Sequence, residues 1–147
     1  MYSWRRRLDL TPEDAVAWIR DKFVTCFELE NLSITVDKPL LFCASTNLSP
    51  ERCPVSVEIG PVTVCAVLAE QGGMDFPRYS QEDLEFFAWL FAAARKGAVS
   101  ETWWISKRGI DWRHEVSVEY QGRRTGRLDV GPKCLAAEVK TVTYQPW

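Results

Sequence analysis

A capped helix followed by four short strand-like runs occupies residues 11–69, and the same order returns about 70 positions later, at residues 80–144. Thr11-Pro12-Glu13-Asp14 opens the first unit and Ser80-Gln81-Glu82-Asp83 the second. Near the end of each unit, Ile59-Gly60-Pro61 with Cys65-Ala66 is echoed by Val130-Gly131-Pro132 with Cys134-Leu135-Ala136. Two copies of a helix-plus-meander fold most simply into one sheet with both helices on the same face, because each unit has one apolar side to bury. The expected fold is α+β in the order α-ββββ-α-ββββ, a single domain over residues 1–147. It has a mainly antiparallel sheet of about seven or eight strands, two helices on one face and an internal pseudo-twofold repeat. An ordinary α+β meander whose turns recur by chance gives the same element order without a duplication.

The first helix is expected from Pro12 to Phe27. Thr11 can accept from the orphan amides, Pro12 suits the first turn, and Glu13 and Asp14 complement the dipole. Val16, Ile19, Phe23 and Phe27 then form one apolar stripe. In the second helix Ser80 caps, Asp83 stands at the capping-box position, Arg95 and Lys96 occupy the last turn and Gly97 ends it. Its rows Leu84, Phe87, Phe91, Ala94 and Phe86, Trp89, Leu90, Ala93 predict burial over much of its circumference. Strands are expected at 31–36, 40–44, 55–59 and 62–68, then at 99–105, 115–120, 126–130 and 135–144. Gly60-Pro61 suits a tight II′ hairpin, Gln121-Gly122-Arg123-Arg124 a turn, and the aperiodic Gln71–Pro77 stretch the connection between units.

The charge balance excludes a protein that coats nucleic acid: the net charge is −2, and the part up to Gly73 holds 7 basic against 10 acidic residues. Five cysteines without close pairing argue for a reducing compartment and no disulfide framework. Arg5-Arg6-Arg7 is followed by Leu8-Asp9-Leu10-Thr11-Pro12 rather than an apolar export segment, and no window approaches the ~18 apolar residues of a membrane span. A soluble cytoplasmic protein with no membrane partner is the expectation.

The densest unusual patch is Trp103-Trp104-Ile105-Ser106-Lys107-Arg108-Gly109-Ile110-Asp111-Trp112-Arg113-His114-Glu115. Adjacent Trp103 and Trp104 on a strand must point to opposite faces. A large rigid ring beside charged groups is the composition of a binding hot spot, although burial of both rings is an equally ready explanation. His114, the single histidine, is flanked by Arg113 and Glu115 and reads as a surface or strand-end residue; its catalytic use would need a partner such as Cys43 or Cys53. No catalytic motif is present, Cys43 and Cys53 lack the close spacing of a zinc clamp, and no cofactor or metal is implied. Lys107, Arg108, Arg113, Arg123, Arg124 and Arg127 would favour single-stranded nucleic acid only if they gathered at one end of the strands, and the acidic residues among them weigh against it.

In size, cytosolic character, aromatic-rich strands and lack of catalytic motifs, the chain resembles the immunity proteins that bacteria pair with secreted toxins. That likeness is one of general character and carries over no residue. It implies a non-enzymatic protein-binding module that occludes a partner, a cognate toxin domain. The residues assigned to such contact are Trp103, Trp104, Asp111, Trp112, Arg113, Glu115 and Tyr120. Two other functions fit the same sequence: a small-ligand-binding domain with an aromatic pocket near Phe86, Phe87, Trp89 and Trp103, and a small hydrolase or transferase using His114 with a cysteine.

Overall fold

The computed structural model describes residues 10–69, 80–109, 114–126 and 137–147 in full, together with the backbone of 72–76, 111–113 and 127–128. Helix α1 spans Pro12–Phe27, with the Thr11 side chain accepting from the Asp14 amide, and buries Val16, Ile19, Phe23 and Phe27 along the expected stripe. A single 3-10 turn at Leu29–Asn31 leads into five strands: β1 (Leu32–Lys38), β2 (Leu41–Thr46), β3 (Val55–Ile59), β4 (Val64–Leu68) and β5 (Gly72–Phe76). Helix α2 (Gln81–Arg95) carries the full capping box between Ser80 and Asp83. Four strands follow: β6 (Val99–Ile105), β7 (Asp111–Tyr120), β8 (Arg123–Leu128) and β9 (Glu138–Thr143).

The fold is thus α+β with antiparallel strands, and each half leads with a helix. The nine described strands form a five-stranded sheet, β1-β2-β3-β4-β5, and a four-stranded sheet, β8-β7-β6-β9, with β5 lying beside β8. The expected count of seven or eight falls short because Gly72–Phe76, read as a connection, pairs along its whole length with β4. Two glycines leave it no side-chain alternation to read, so the neighbouring ladder makes it a strand. The halves also differ in path. The first sheet is a plain meander, whereas β9 returns to the free edge of β6. The second half of the sequence echo, Val130–Ala136, lies outside the described residues.

One core joins both halves. Phe23 meets Phe91 edge-on at 5.0 Å and Phe42 of β2 at 6.4 Å, so the helices pack on each other and α1 packs on the first sheet. Helix α2 packs on β7, over the buried Val116 and Val118. Along β3 and β4 the buried residues alternate with partly or fully exposed ones, leaving Ser56, Glu58, Cys65 and Val67 on a wetted outer face. The β3–β4 hairpin is closed by the Gly60 amide donating to the Thr63 carbonyl at 2.9 Å, with no positive φ at Gly60, so the expected II′ geometry does not form. Between β7 and β8, Gln121 and Gly122 take φ of 52° and 73°, the two-residue I′ turn that matches strand twist.

Beyond β9 the chain becomes a strap. The Gln145 amide donates to the Glu51 carbonyl and the Trp147 amide to the Arg95 carbonyl, both at 2.8 Å. The Trp147 indole donates to the Cys53 carbonyl at 2.9 Å, and its ring stands edge-on to Phe27 at 6.0 Å. These few residues therefore join the second sheet, the end of α2, the β2–β3 loop and the end of α1. Among the described residues no helix is long and apolar enough to cross a membrane.

Candidate functional site

The ladder of β6 against β7 and β9 places Trp103 between His114 and Lys140, and Trp104 between Arg113 and Val139. Alternation sends the two indoles to opposite faces, as the adjacent pair requires. Trp103 shares the helix-facing side with Val99, Glu101 and Ile105. Trp104 shares the outer side with Ser100 and Thr102.

On the helix-facing side, the buried row around Trp103 is polar. Glu101 is 0% exposed and His114 6%. His114 Nε2 lies 2.8 Å from Glu101 Oε2, and the Tyr144 hydroxyl donates to Glu101 Oε1. The Trp103 ring stacks on the imidazole at 4.7 Å and 12°, with Lys140 Nζ 6.0 Å from the indole centroid. A carboxylate taken wholly out of water needs its oxygens satisfied, and here an imidazole and a phenol supply the partners. The expected surface histidine is therefore an interior one. Its sequence neighbour Glu115 belongs to the other face, and its partner comes from thirteen residues earlier, across the ladder. Sequence reasoning missed Glu101 and Tyr144. The available signal was parity: Glu101 stands two positions from Val99 and two from Trp103 on one strand.

Neither proposed cysteine is set up as a nucleophile. Cys53 is fully buried, and burial, with the Glu101 carboxylate adding to it, pushes its thiol up to about 12. Cys43 belongs to β2 in the other sheet, where burial and then Glu58 raise its thiol as well. A thiol held protonated is a poor nucleophile. Among the described residues no three His, Cys, Asp or Glu side chains stand close enough to hold a metal ion.

The outer side is different in character. Here Ser100, Thr102 and Trp104 of β6 and Glu115 and Ser117 of β7 are all partly exposed, and among the described residues no helix packs on this side. The Thr102 and Thr141 hydroxyls meet at 3.3 Å, and Val139, next to Trp104 across the ladder, is 58% exposed. A rigid indole thus borders an open apolar residue, with Glu115 one row away. Val139 and Lys140, the β9 members of these rows, were not singled out in the sequence. Asp111, Trp112 and Arg113 lie on the β7 backbone opposite this end of β6, with the ladder shifting by one residue between Trp104 and Ile105 so that Trp112 has no direct opposite. Their side chains lie outside the described residues.

Tyr120 does not join this surface. It ends β7 opposite Arg123, and its carbonyl accepts from the Trp89 indole at 3.1 Å. There Arg123 lies 4.8 Å from the Phe86 ring and 5.1 Å from Trp89, and Phe86 and Trp89 stack at 5.7 Å. Near Phe87 the aromatic rings pack on one another, with Phe86 6.1 Å from Phe87. The basic residues divide too. Lys107 and Arg108 sit in the β6–β7 turn, and Arg123 and Arg124 at the opposite end of the ten-residue β7, about 30 Å away at strand rise. They form no single basic platform.

Comparison with known proteins finds no family model, curated protein or solved structure that matches this chain.

Proposed function

We propose that the chain is a non-enzymatic protein-binding module of the immunity or inhibitor type, which acts by covering a partner domain with the outer side of its second sheet. The observation that carries the reading is the placement of Trp104: partly exposed, on a face that no described helix covers, and adjacent to a valine that is 58% exposed. The ladder fixes the backbone that carries the indole, so binding need order only the ring's two side-chain torsions, which is the property of a hot-spot anchor. Glu115 gives that surface an acidic group able to steer and orient a basic partner. The raised cysteine thiols and the interior placement of His114 give the hydrolase reading no comparable support.

The test compares two tryptophans. Tagged wild-type, Trp104→Ala and Trp103→Ala chains are used to capture partners from the native cytosol, with unfolding curves recorded for each. Trp104→Ala should lose a stoichiometric protein partner, through a weakening of about 2 kcal/mol or more, at nearly unchanged stability. Trp103→Ala should instead lower stability, because it uncovers the His114–Glu101 pair. Equal capture by wild type and Trp104→Ala, or a co-purifying small molecule in place of a protein, would overturn the assignment.

A further inference from the structure

β9 is the outer strand of the second sheet, and its unpaired side can be identified from the ladder. The Glu119 amide donates to the Ala98 carbonyl at 3.2 Å, so Ala98 faces β7, and by alternation Val99, Glu101, Trp103 and Ile105 direct their backbone groups toward β9. The opposites of Glu101, Trp103 and Ile105 are Val142, Lys140 and Glu138. The backbone groups of Val139, Thr141 and Thr143 therefore point away from the sheet. Among the described residues no strand pairs with them. The donation from Gln145 to Glu51 agrees with this parity and marks where the open edge stops, because the β2–β3 loop takes over there.

We infer that this edge pairs with the same edge of a second copy of the chain, antiparallel about a twofold axis at Val139, giving one eight-stranded sheet across two molecules. Register follows from charge. With Val139 opposite itself, Glu138 of each copy stands opposite Lys140 of the other, so two opposite-charge pairs form on the helix-facing side at the short separation of a non-hydrogen-bonded pair. Moving the axis to Lys140 sets like charges face to face. Moving it to Thr141 drives the second copy's strand into the loop at Glu51 and Arg52, which is already bridged to Gln145. On the outer side, the Val139 register brings the two exposed valines together between the two Trp104 rings, making a continuous apolar stripe. An edge strand this exposed is a liability in a monomer, and self-pairing removes it. The inference stands independently of the proposed partner, since both copies keep their outer faces.

Sedimentation of the full chain from about 1 μM to about 1 mM tests it, since a short strand pair with two charge contacts gives a weak dimer. Glu138→Lys and Lys140→Glu alter exposed positions, and each should weaken self-association about tenfold or more by turning both pairs repulsive. An equimolar mixture of the two variants should associate as well as wild type, because each supplies the charge that the other lacks. A wild-type chain that stays monomeric throughout would overturn the inference and leave Glu138 and Lys140 as guards of a bare edge. A mixture no better than its components would overturn the register.

Discussion

Gly97 is where a single added methyl should cost most. It follows the end of α2 in the left-handed region, φ 73°, and a Cβ built there would stand 2.6 Å from the Tyr144 carbonyl oxygen and 3.1 Å from Gln145 C and Pro146 N. Gly122 has the same φ of 73° with nothing within 4 Å of its Cβ. Gly122→Ala therefore measures the left-handed conformation alone, about 1–2 kcal/mol. Gly97→Ala adds a backbone collision that only movement of the strap can relieve. That strap carries the Gln145–Glu51, Trp147–Arg95 and Trp147–Cys53 hydrogen bonds. Loss of one or two of them, at about 1 kcal/mol each, together with loosening of Trp147 from Phe27, gives an expected excess of about 1.5–3 kcal/mol over Gly122→Ala. Equilibrium urea unfolding followed by tryptophan fluorescence and circular dichroism reads the difference as a shift in midpoint at constant slope. If the two variants agree within about 0.5 kcal/mol, the strap does not bear on Gly97 and its role as a clasp is wrong.

Two further perturbations test the interior and the surface. Glu101→Ala leaves the His114 ring nitrogen and the Tyr144 hydroxyl facing a dry gap and should destabilise by about 3–5 kcal/mol, against about 1.5–3 kcal/mol for Tyr144→Phe. Equal, sub-kilocalorie effects in chemical denaturation would mean that water reaches the carboxylate. Arg20 forks onto Asp37 at 2.8 and 2.9 Å, and this hydrogen-bonded guanidinium holds the Asp37 carboxyl below the usual carboxylate range. Because the folded value is the lower one, the stabilisation is present above the unfolded carboxyl's titration and is lost as pH falls through the folded value. With side chains 42% and 43% exposed, the pair contributes no more than about 1 kcal/mol. Thermal unfolding of Asp37→Asn should therefore lag wild type slightly at neutral pH and converge with it in acid, whereas a constant offset would assign the effect to packing.

How much of this is legible in the sequence depends on how local each cause is. Helix α1 is readable end to end because Thr11, Pro12 and the four-residue stripe are all within one segment, and the same holds for Ser80 and Asp83 at the start of α2. β3 and β6 are readable because alternation or aromatic and β-branched content sits inside them. β5 is not, since what makes Gly72–Phe76 a strand is its partner β4. The return of β9 to β6 is equally invisible, because no local pattern says which edge a strand will choose. Within the candidate site, the opposition of Trp103 and Trp104 follows from the pleat alone. The partner of His114 does not, since ladder register brings Glu101 to it and strand parity sends the neighbouring Glu115 away. The separation of Tyr120 from Trp104 likewise follows from the length of β7, which carries its two ends to opposite rims of the sheet.

The strap also bears on when the native state can be completed. Trp147 contacts Cys53 across 94 positions, and Arg95 reaches the Cys26 carbonyl across 69. During vectorial synthesis the strands of the first sheet can pair with their neighbours early. The Cys53 carbonyl and the edge of Phe27 then wait uncovered until Trp147, 94 positions after Cys53, has been made. Such long closures are slow, and an unfinished chain meanwhile displays apolar surface to its surroundings. Refolding from denaturant should accordingly end in a step sensed by the Trp147 indole, after the sheets have already formed.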